Sequence, residues 1–294
     1  MTPPRRRRRT EDELGAHVSA AGGVVNAPGR AAELPSQALQ LFTKQPSRWA
    51  EPAIDDGAVA TFAAAVATHG IGTLVCHDSY LINLGSPDRI LFDRSFAAFA
   101  AELDRCRRLG FHAVVTHPGN AMGSERSGAL VRNAEAIERA IEETGFAGTV
   151  LLETTAGAGT ALGARFEELA RMIDGVSVRY RPQIGVCFDT CHVWAAGYDL
   201  RDDYSGVMDR FGDVIGIERL RLFHLNDSVF DRGSHRDRHA DIGKGRLGPL
   251  PFRQLVTDAR FARVPKLLET PKGHDATAAD RRNLRRLRRY RRDA

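Results

Sequence analysis

Eight short apolar or β-branched runs punctuate the chain, and their spacing is the strongest constraint on its fold. They are "LGAHV" (14–18), "ALQLFT" (38–43), "GTLVCH" (72–77), "HAVVTH" (112–117), "TVLLE" (149–153), "IGVCFD" (184–189), "LRLFH" (220–224) and "PKLLE" (265–269). Continuous apolar runs of this length suit strands buried on both faces, as in a parallel sheet. Helical patterns lie between them, for example over 93–110, 132–145 and 165–175, each closing at or beside a glycine that can serve as a C-cap. Eight such alternations within 294 residues predict one closed (β/α)8 TIM barrel, with the reactive face built where the strands end. No linker divides the chain and no internal repeat is visible. The expected division is a barrel over 14–294, preceded by a basic, disordered tail over 1–13.

With 43% hydrophobic residues the chain can bury a core of that size. No apolar stretch approaches the roughly 18 residues of a membrane-spanning helix. The N-terminal "MTPPRRRRRT" lacks the apolar segment of a secretory signal, so a cytoplasmic location with no membrane contact is expected. Cys76, Cys106, Cys187 and Cys191 are too few and too scattered for a disulfide framework, and are expected to be reduced. The net charge of +5 is unevenly placed. Arg5 to Arg9 contribute five positive charges and segment 279–294 a surplus of six, so the remainder stands at −6. Any anion-binding site in the acidic body therefore needs its own source of positive charge.

The last residues of the third to eighth runs supply a candidate. They are His77, His117, Glu153, Asp189, His224 and Glu269, at intervals of 40, 36, 36, 35 and 45 residues. In a parallel barrel these six side chains converge on one mouth. His192, Asp237 and His239 are expected in loops on the same face. Taken singly, a strand-end histidine is more often a hydrogen-bonded structural residue, and an Asp or Glu there a helix N-cap. Six in succession point to a metal centre. Nitrogen and oxygen donors without sulfur suit zinc, or manganese as a substitute, and nine donors suffice for two or three ions. Cys187 and Cys191, although adjacent, read as small buried hydrophobes.

At this point the chain resembles endonuclease IV, the apurinic/apyrimidinic endonuclease family of base-excision repair. The matching blocks are "GAHVSAAGG" (15–23), "LFTK" (41–44), "HDSYLINLGSP" (77–87), "THPG" (116–119), "DTCHVWAAGYDLR" (189–201), "FHLNDS" (223–228), "GSHRDRHADIGKG" (233–245) and "LET" (268–270). The resemblance implies three zinc ions per chain, with Mn2+ an option at one or more positions. His77 and His117 would hold one ion and Asp189, His224 and Glu269 a second. Glu153 would bridge those two, and His192, Asp237 and His239 would hold a third. It further implies a monomer that acts on double-stranded DNA containing abasic sites, cutting on the 5′ side and leaving a 3′-hydroxyl. Glu153 and Glu269 would orient the attacking water as catalytic residues.

Four residues are candidate DNA contacts. Tyr80 and Leu81, in the loop after the third strand, would enter the minor groove, since apolar side chains are the usual intercalators. Arg238, between two ligands of the third ion, is a candidate phosphate contact. Arg48 directly precedes Trp49, whereas the family more often has its groove-contacting arginine two residues before that tryptophan, where this chain has Ser47. A second departure is Thr154, at a position where asparagine is usual. His17 falls outside the family's ligand set and is expected to be structural or substrate-lining. A metal-dependent sugar isomerase or epimerase of the same barrel class is the nearest alternative, but it would have no use for the trio His192, Asp237 and His239. A non-catalytic nucleic-acid-binding protein using its arginine tails is another.

Leu284, Leu287 and Tyr290 recur every third residue in 279–294, which predicts a last, solvated helix with one apolar stripe and arginines on its other faces. Deleting residues 1–9 is expected to flatten the log–log salt slope of binding to undamaged duplex, by about 0.9 for each phosphate that the tract neutralises. Single-turnover cleavage at saturating enzyme should stay unchanged. An unaltered slope would make the tract a bystander.

Overall fold

The computed structural model describes residues 14–34 and 36–293; the tail over 1–13 lies outside them. Eight parallel strands close into a ring: β1 (Leu14–His17), β2 (Ala38–Leu41), β3 (Thr73–His77), β4 (Ala113–Thr116), β5 (Thr149–Glu153), β6 (Ile184–Asp189), β7 (Leu220–His224) and β10 (Lys266–Leu268), which pairs back with β1. A two-residue antiparallel pair, β8 (Asp227–Ser228) with β9 (His239–Ala240), stands apart from the ring. The outer layer comprises α1 (Ala27–Glu33), α2 (Asp56–His69), α3 (Arg89–Leu109), α4 (Arg126–Thr144), α5 (Phe166–Gly175), the short α6 (Thr190–Ala196), α7 (Tyr204–Ile215), α8 (Leu250–Thr257) and α9 (Ala276–Arg292). Among the described residues no helix is long and apolar enough to cross a membrane.

Strand alternation divides the apolar residues into two cores. Ala38, Val75, Ala113, Val115, Leu151, Cys187, Leu222 and Leu267 form a small cluster within the ring. Their sequence neighbours, such as Leu39, Leu74, Val114, Leu152 and Phe223, join the larger cluster between ring and helices. Leu222 and Leu267 lie below His224 and Glu269 on the same strand faces, so the lumen that begins apolar ends polar at its mouth. Register matters here as well. The β6–β7 pairing shifts between Val186, opposite Leu220, and Cys187, opposite Leu222, and this skip brings Asp189 level with His224.

The helix boundaries follow local chemistry. At the start of α3, Asp88 accepts the Leu91 N–H at 2.8 Å, and the helix ends on Gly110 at φ 75°. Gly145 closes α4 in the same left-handed conformation. Gly175 does not act this way. It is the last residue within α5, which stops at Val176, and a Cβ at 175 would lie 2.9 Å from the Ala134 Cβ of α4. This glycine permits close helix contact and is no left-handed cap. The last helix starts at Ala276, three residues before its expected start, because Asp275 accepts the Ala278 N–H at 2.9 Å. Leu284, Leu287 and Tyr290 are buried, while Arg282, Arg285 and Arg289 are exposed.

Ring closure is tightest at Gly15, where a Cβ would fall 2.0 Å from the Ala38 carbonyl oxygen and 2.7 Å from Ser36 Oγ. Gly15→Ala must push β1 from β2, at an expected cost of about 1–3 kcal/mol. A urea melt should show an earlier midpoint with an unchanged slope; an unshifted midpoint would show that the strands yield freely.

Candidate metal centre

His77, Glu153, Asp189 and His224 are the last residues of β3, β5, β6 and β7, and His117 and Glu269 lie just beyond β4 and β10. Because all these strands run in one direction around a closed ring, the six side chains meet at one end of it. His192 is not on a loop, as expected from the sequence, but in the first turn of α6. Asp189 caps that helix, its Oδ1 accepting the His192 N–H at 2.8 Å. One carboxylate is thus both N-cap and member of the cluster. His239 opens β9 opposite Ser228, which carries it and the preceding Asp237 to the mouth.

All nine residues come together. His77 Nε2 and His117 Nε2 each lie 3.1 Å from Glu153 Oε2. On the other oxygen, Glu153 Oε1 is 3.0 Å from His224 Nδ1 and 3.3 Å from His192 Nδ1. His224 Nδ1 is also 3.3 Å from Glu269 Oε2 and 3.9 Å from Asp189 Oδ2. Farther out, His192 Nε2 is 3.1 Å from Asp237 Oδ2, and His239 Nε2 is 3.3 Å from Asp237 Oδ1. Donor atoms of His77, His117 and Glu153, and of His192, Asp237 and His239, lie within 4.8 Å of one another in each trio.

The far side of each ring shows what the near side is for. Carbonyl oxygens can only accept, so His77 Nδ1 donates to Asp78 O at 2.9 Å, His192 Nδ1 to Thr154 O at 2.8 Å and His239 Nδ1 to Glu269 O at 3.1 Å. Their Nε2 atoms therefore face carboxylates as acceptor against acceptor unless a proton or a cation lies between. Buried His192 Nε2 and His239 Nε2 have no hydrogen-bond partner, although each is close to Asp237; distance without alignment is what lone pairs aimed at a common point produce. This donor set of imidazoles and carboxylates fits hard or borderline divalent cations.

Without cations, protons must neutralise the cluster. Burial pushes Glu153 up, but His224, His117 and His192 outweigh it and hold the carboxyl well below its usual range. Burial likewise raises Glu269, against His224 and His17, and the net shift is well downward. His77 moves oppositely: burial lowers it, yet Glu153, Glu269 and Asp78 raise it to about 10. Metal ions would take over this neutralising role. Cys187 and Cys191 take no part as thiolates, since burial pushes both thiols up to about 12.

The roles of three supporting residues escaped sequence reasoning. Asn226 donates from Nδ2 to Asp189 Oδ2 at 2.7 Å and accepts the Glu269 N–H at 2.9 Å, so one amide ties two donors together. Thr154 accepts the Asp189 N–H on its hydroxyl at 2.9 Å while its carbonyl holds His192. Gln40, from β2, touches His224 and Glu269. The block "FHLNDS" contains the first of them, and Thr154 stands out in the sequence only as a departure from the usual asparagine.

Tyr80 stands at the mouth with 65% exposure, its ring edge-on to Phe42 at 5.2 Å, whereas Leu81 beside it is half-buried. His77, Tyr80, His117, His192 and Asp237 line a cavity of about 190 Å³. Arg48 and Arg238 are both exposed, and the Arg238 carbonyl accepts the Val229 N–H at 3.0 Å. His17 lies outside the nine but next to them, its Nδ1 3.3 Å from Glu269 Oε1.

Residues 28–290 match the family model of the xylose isomerase-like TIM barrel. A probable endonuclease 4 of Chloroflexus aggregans is 47% identical over 279 residues, covering 94% of this chain and 96% of its own length. The crystal structure of endonuclease IV from Thermus thermophilus superposes with a TM-score of 0.85 at 36% identity, over 96% of this chain and all of that one. This chain belongs to the endonuclease IV family. A D-allulose 3-epimerase from Methylomonas sp. also superposes, with a TM-score of 0.67 over 95% of this chain and 97% of its own, but at 17% identity it shares the fold alone. The endonuclease IV family is metal-dependent, and the clustered donors described above include several groups that could hold a metal ion.

In this member of the endonuclease IV family, Thr154→Val should leave the buried Asp189 N–H unpaired and cost about 1–3 kcal/mol. Thr154→Ser keeps the hydroxyl and should melt within about 1 kcal/mol of wild type. Equal urea midpoints for the two variants would contradict the role given to that hydroxyl.

Proposed function

We propose that this chain is a zinc-dependent DNA-repair endonuclease that hydrolyses the phosphodiester 5′ to abasic sites in double-stranded DNA and leaves a 3′-hydroxyl. The observation that carries this reading is the cluster of nine donors gathered around the fully buried Glu153, in which the Nε2 atoms of His77, His192 and His239, whose Nδ1 atoms donate to backbone carbonyls, face carboxylates. His77 and His117 would hold one ion, Asp189, His224 and Glu269 a second, and His192, Asp237 and His239 a third, with Glu153 bridging the first two. Manganese is an option at one or more positions. The barrel over 14–294 is the catalytic domain and 1–13 a basic tail; a cytoplasmic monomer is the working form.

Bound zinc ions supply Lewis acidity, stabilising charge on the attacking and leaving oxygens of an in-line displacement. The protein's own groups do the rest. Glu153 and Glu269 orient the attacking water, and Glu269 is the more accessible, with its side chain 17% exposed against 0% for Glu153. The four carboxylates Glu153, Asp189, Asp237 and Glu269 cannot attract a phosphate by themselves, and three divalent cations outweigh them. Arg238 reaches a flanking phosphate from its place between Asp237 and His239, at the start of β9. Tyr80, exposed over the cavity, and Leu81 hold the gap open once the lesion leaves the stack. Arg48 contacts the groove from the loop after β2, where Trp49 is covered by the Arg94 guanidinium at 4.5 Å.

An oligonucleotide duplex with one abasic site tests the reading. Cleavage should stop on chelation, return with zinc and yield no borohydride-trapped protein–DNA adduct, because the route is hydrolytic. A trapped adduct on the cleavage pathway would overturn it. Glu153→Ala should lower the cleavage rate by at least about 1,000-fold, as removal of a bridging ligand requires, whereas Ser47→Arg should change it by less than about tenfold. Near-normal turnover of Glu153→Ala with full metal content would refute the bridging role.

A further inference from the structure

Gln40 is fully buried in β2, a position the nine donors leave unexplained. Its parity is that of Ala38, which lines the ring interior, so it points to the barrel axis one layer above that core. There it meets side chains from three other strand ends. Its Nε2 lies 2.6 Å from Glu269 Oε1 and 2.9 Å from His17 Nδ1, and its Oε1 lies 2.8 Å from His224 Nε2.

Chemistry fixes the orientation of this amide. A carboxylate only accepts, so the amide edge against Glu269 must be the NH2. The carbonyl edge then faces His224, and a carbonyl can only accept. His224 Nε2 therefore carries a proton, which leaves Nδ1 as the nitrogen free for a metal. That is the nitrogen 3.0 Å from Glu153 and 3.3 Å from Glu269. Here His224 differs from His77, His192 and His239, whose Nδ1 atoms are occupied by backbone carbonyls and whose Nε2 atoms face the cluster. No backbone carbonyl among the described residues performs this service for His224.

We propose that Gln40 is a positioning residue for the second ion: one side chain selects the ligating nitrogen of His224 and fixes the Glu269 carboxylate beside it. The proposal rests on the reading of the nine donors as a metal centre. Outer partners of this kind typically change metal affinity about 10- to 100-fold.

The test is a zinc titration of the metal-free full-length protein against a chromogenic chelator, for wild type, Gln40→Met and Gln40→Glu. Wild type should take up three ions. Gln40→Met should lose about 10- to 100-fold in one of the three affinities and keep the other two. Gln40→Glu keeps an acceptor for His224 but sets a second carboxylate against Glu269, and should show the same single-site loss; it also keeps the test open if the methionine variant fails to fold. In zinc-loaded protein labelled with 15N-histidine, the Nε2 proton of His224 should exchange slowly with solvent in wild type and in Gln40→Glu, where it has an acceptor, and rapidly in Gln40→Met. Three unchanged affinities in either folded variant would overturn the role. Failure of wild type to bind zinc would instead remove the metal reading beneath it.

Discussion

One carboxylate organises the mouth of this barrel. Glu153 is fully buried, and its two oxygens lie within 3.3 Å of nitrogens from four imidazoles, those of His77, His117, His192 and His224. Those rings come from β3, the end of β4, α6 and β7, so a single side chain at the end of β5 gathers groups from half the circumference. A buried carboxylate is tolerated only when compensated, and here the compensation is shared among residues far apart in sequence. The site and the closure of the ring are therefore one problem: only parallel strands in register deliver the four nitrogens to one point.

Register is set by details with no metal chemistry of their own. Gly15 lets β1 approach β2, and the skip after Val186 raises Asp189 level with His224. Around the donors lies a second tier of backbone carbonyls and amides, Thr154, Asn226 and Gln40 among them, which holds rings and carboxylates in place. Rings and carboxylates held in this way need little reorganisation on binding.

Much of this could be read from the chain because parallel barrels convert sequence period into spatial position. The eight runs became the eight strands, and the six run-final residues met at one mouth. What stayed hidden depends on geometry that residue type does not encode. Asn226 and Gln40 are amides, ordinary at any strand end, and only their distances to Asp189, Glu269 and His224 give them a role. Gly175 sits where the sequence suggests a left-handed cap but serves helix packing against Ala134. A strand running straight into a helix leaves no polar gap to mark the boundary, which is why His192 reads as a loop residue in the sequence.

The central claim is that nine donors form three metal sites around Glu153. Elemental analysis of the purified protein, dialysed free of loosely held ions, tests it most directly. The account predicts about three zinc or manganese ions per chain, falling below two in Glu153→Ala as the bridge between the first two sites disappears. A wild-type protein with one ion or none, or a Glu153→Ala variant that keeps all three, would contradict it.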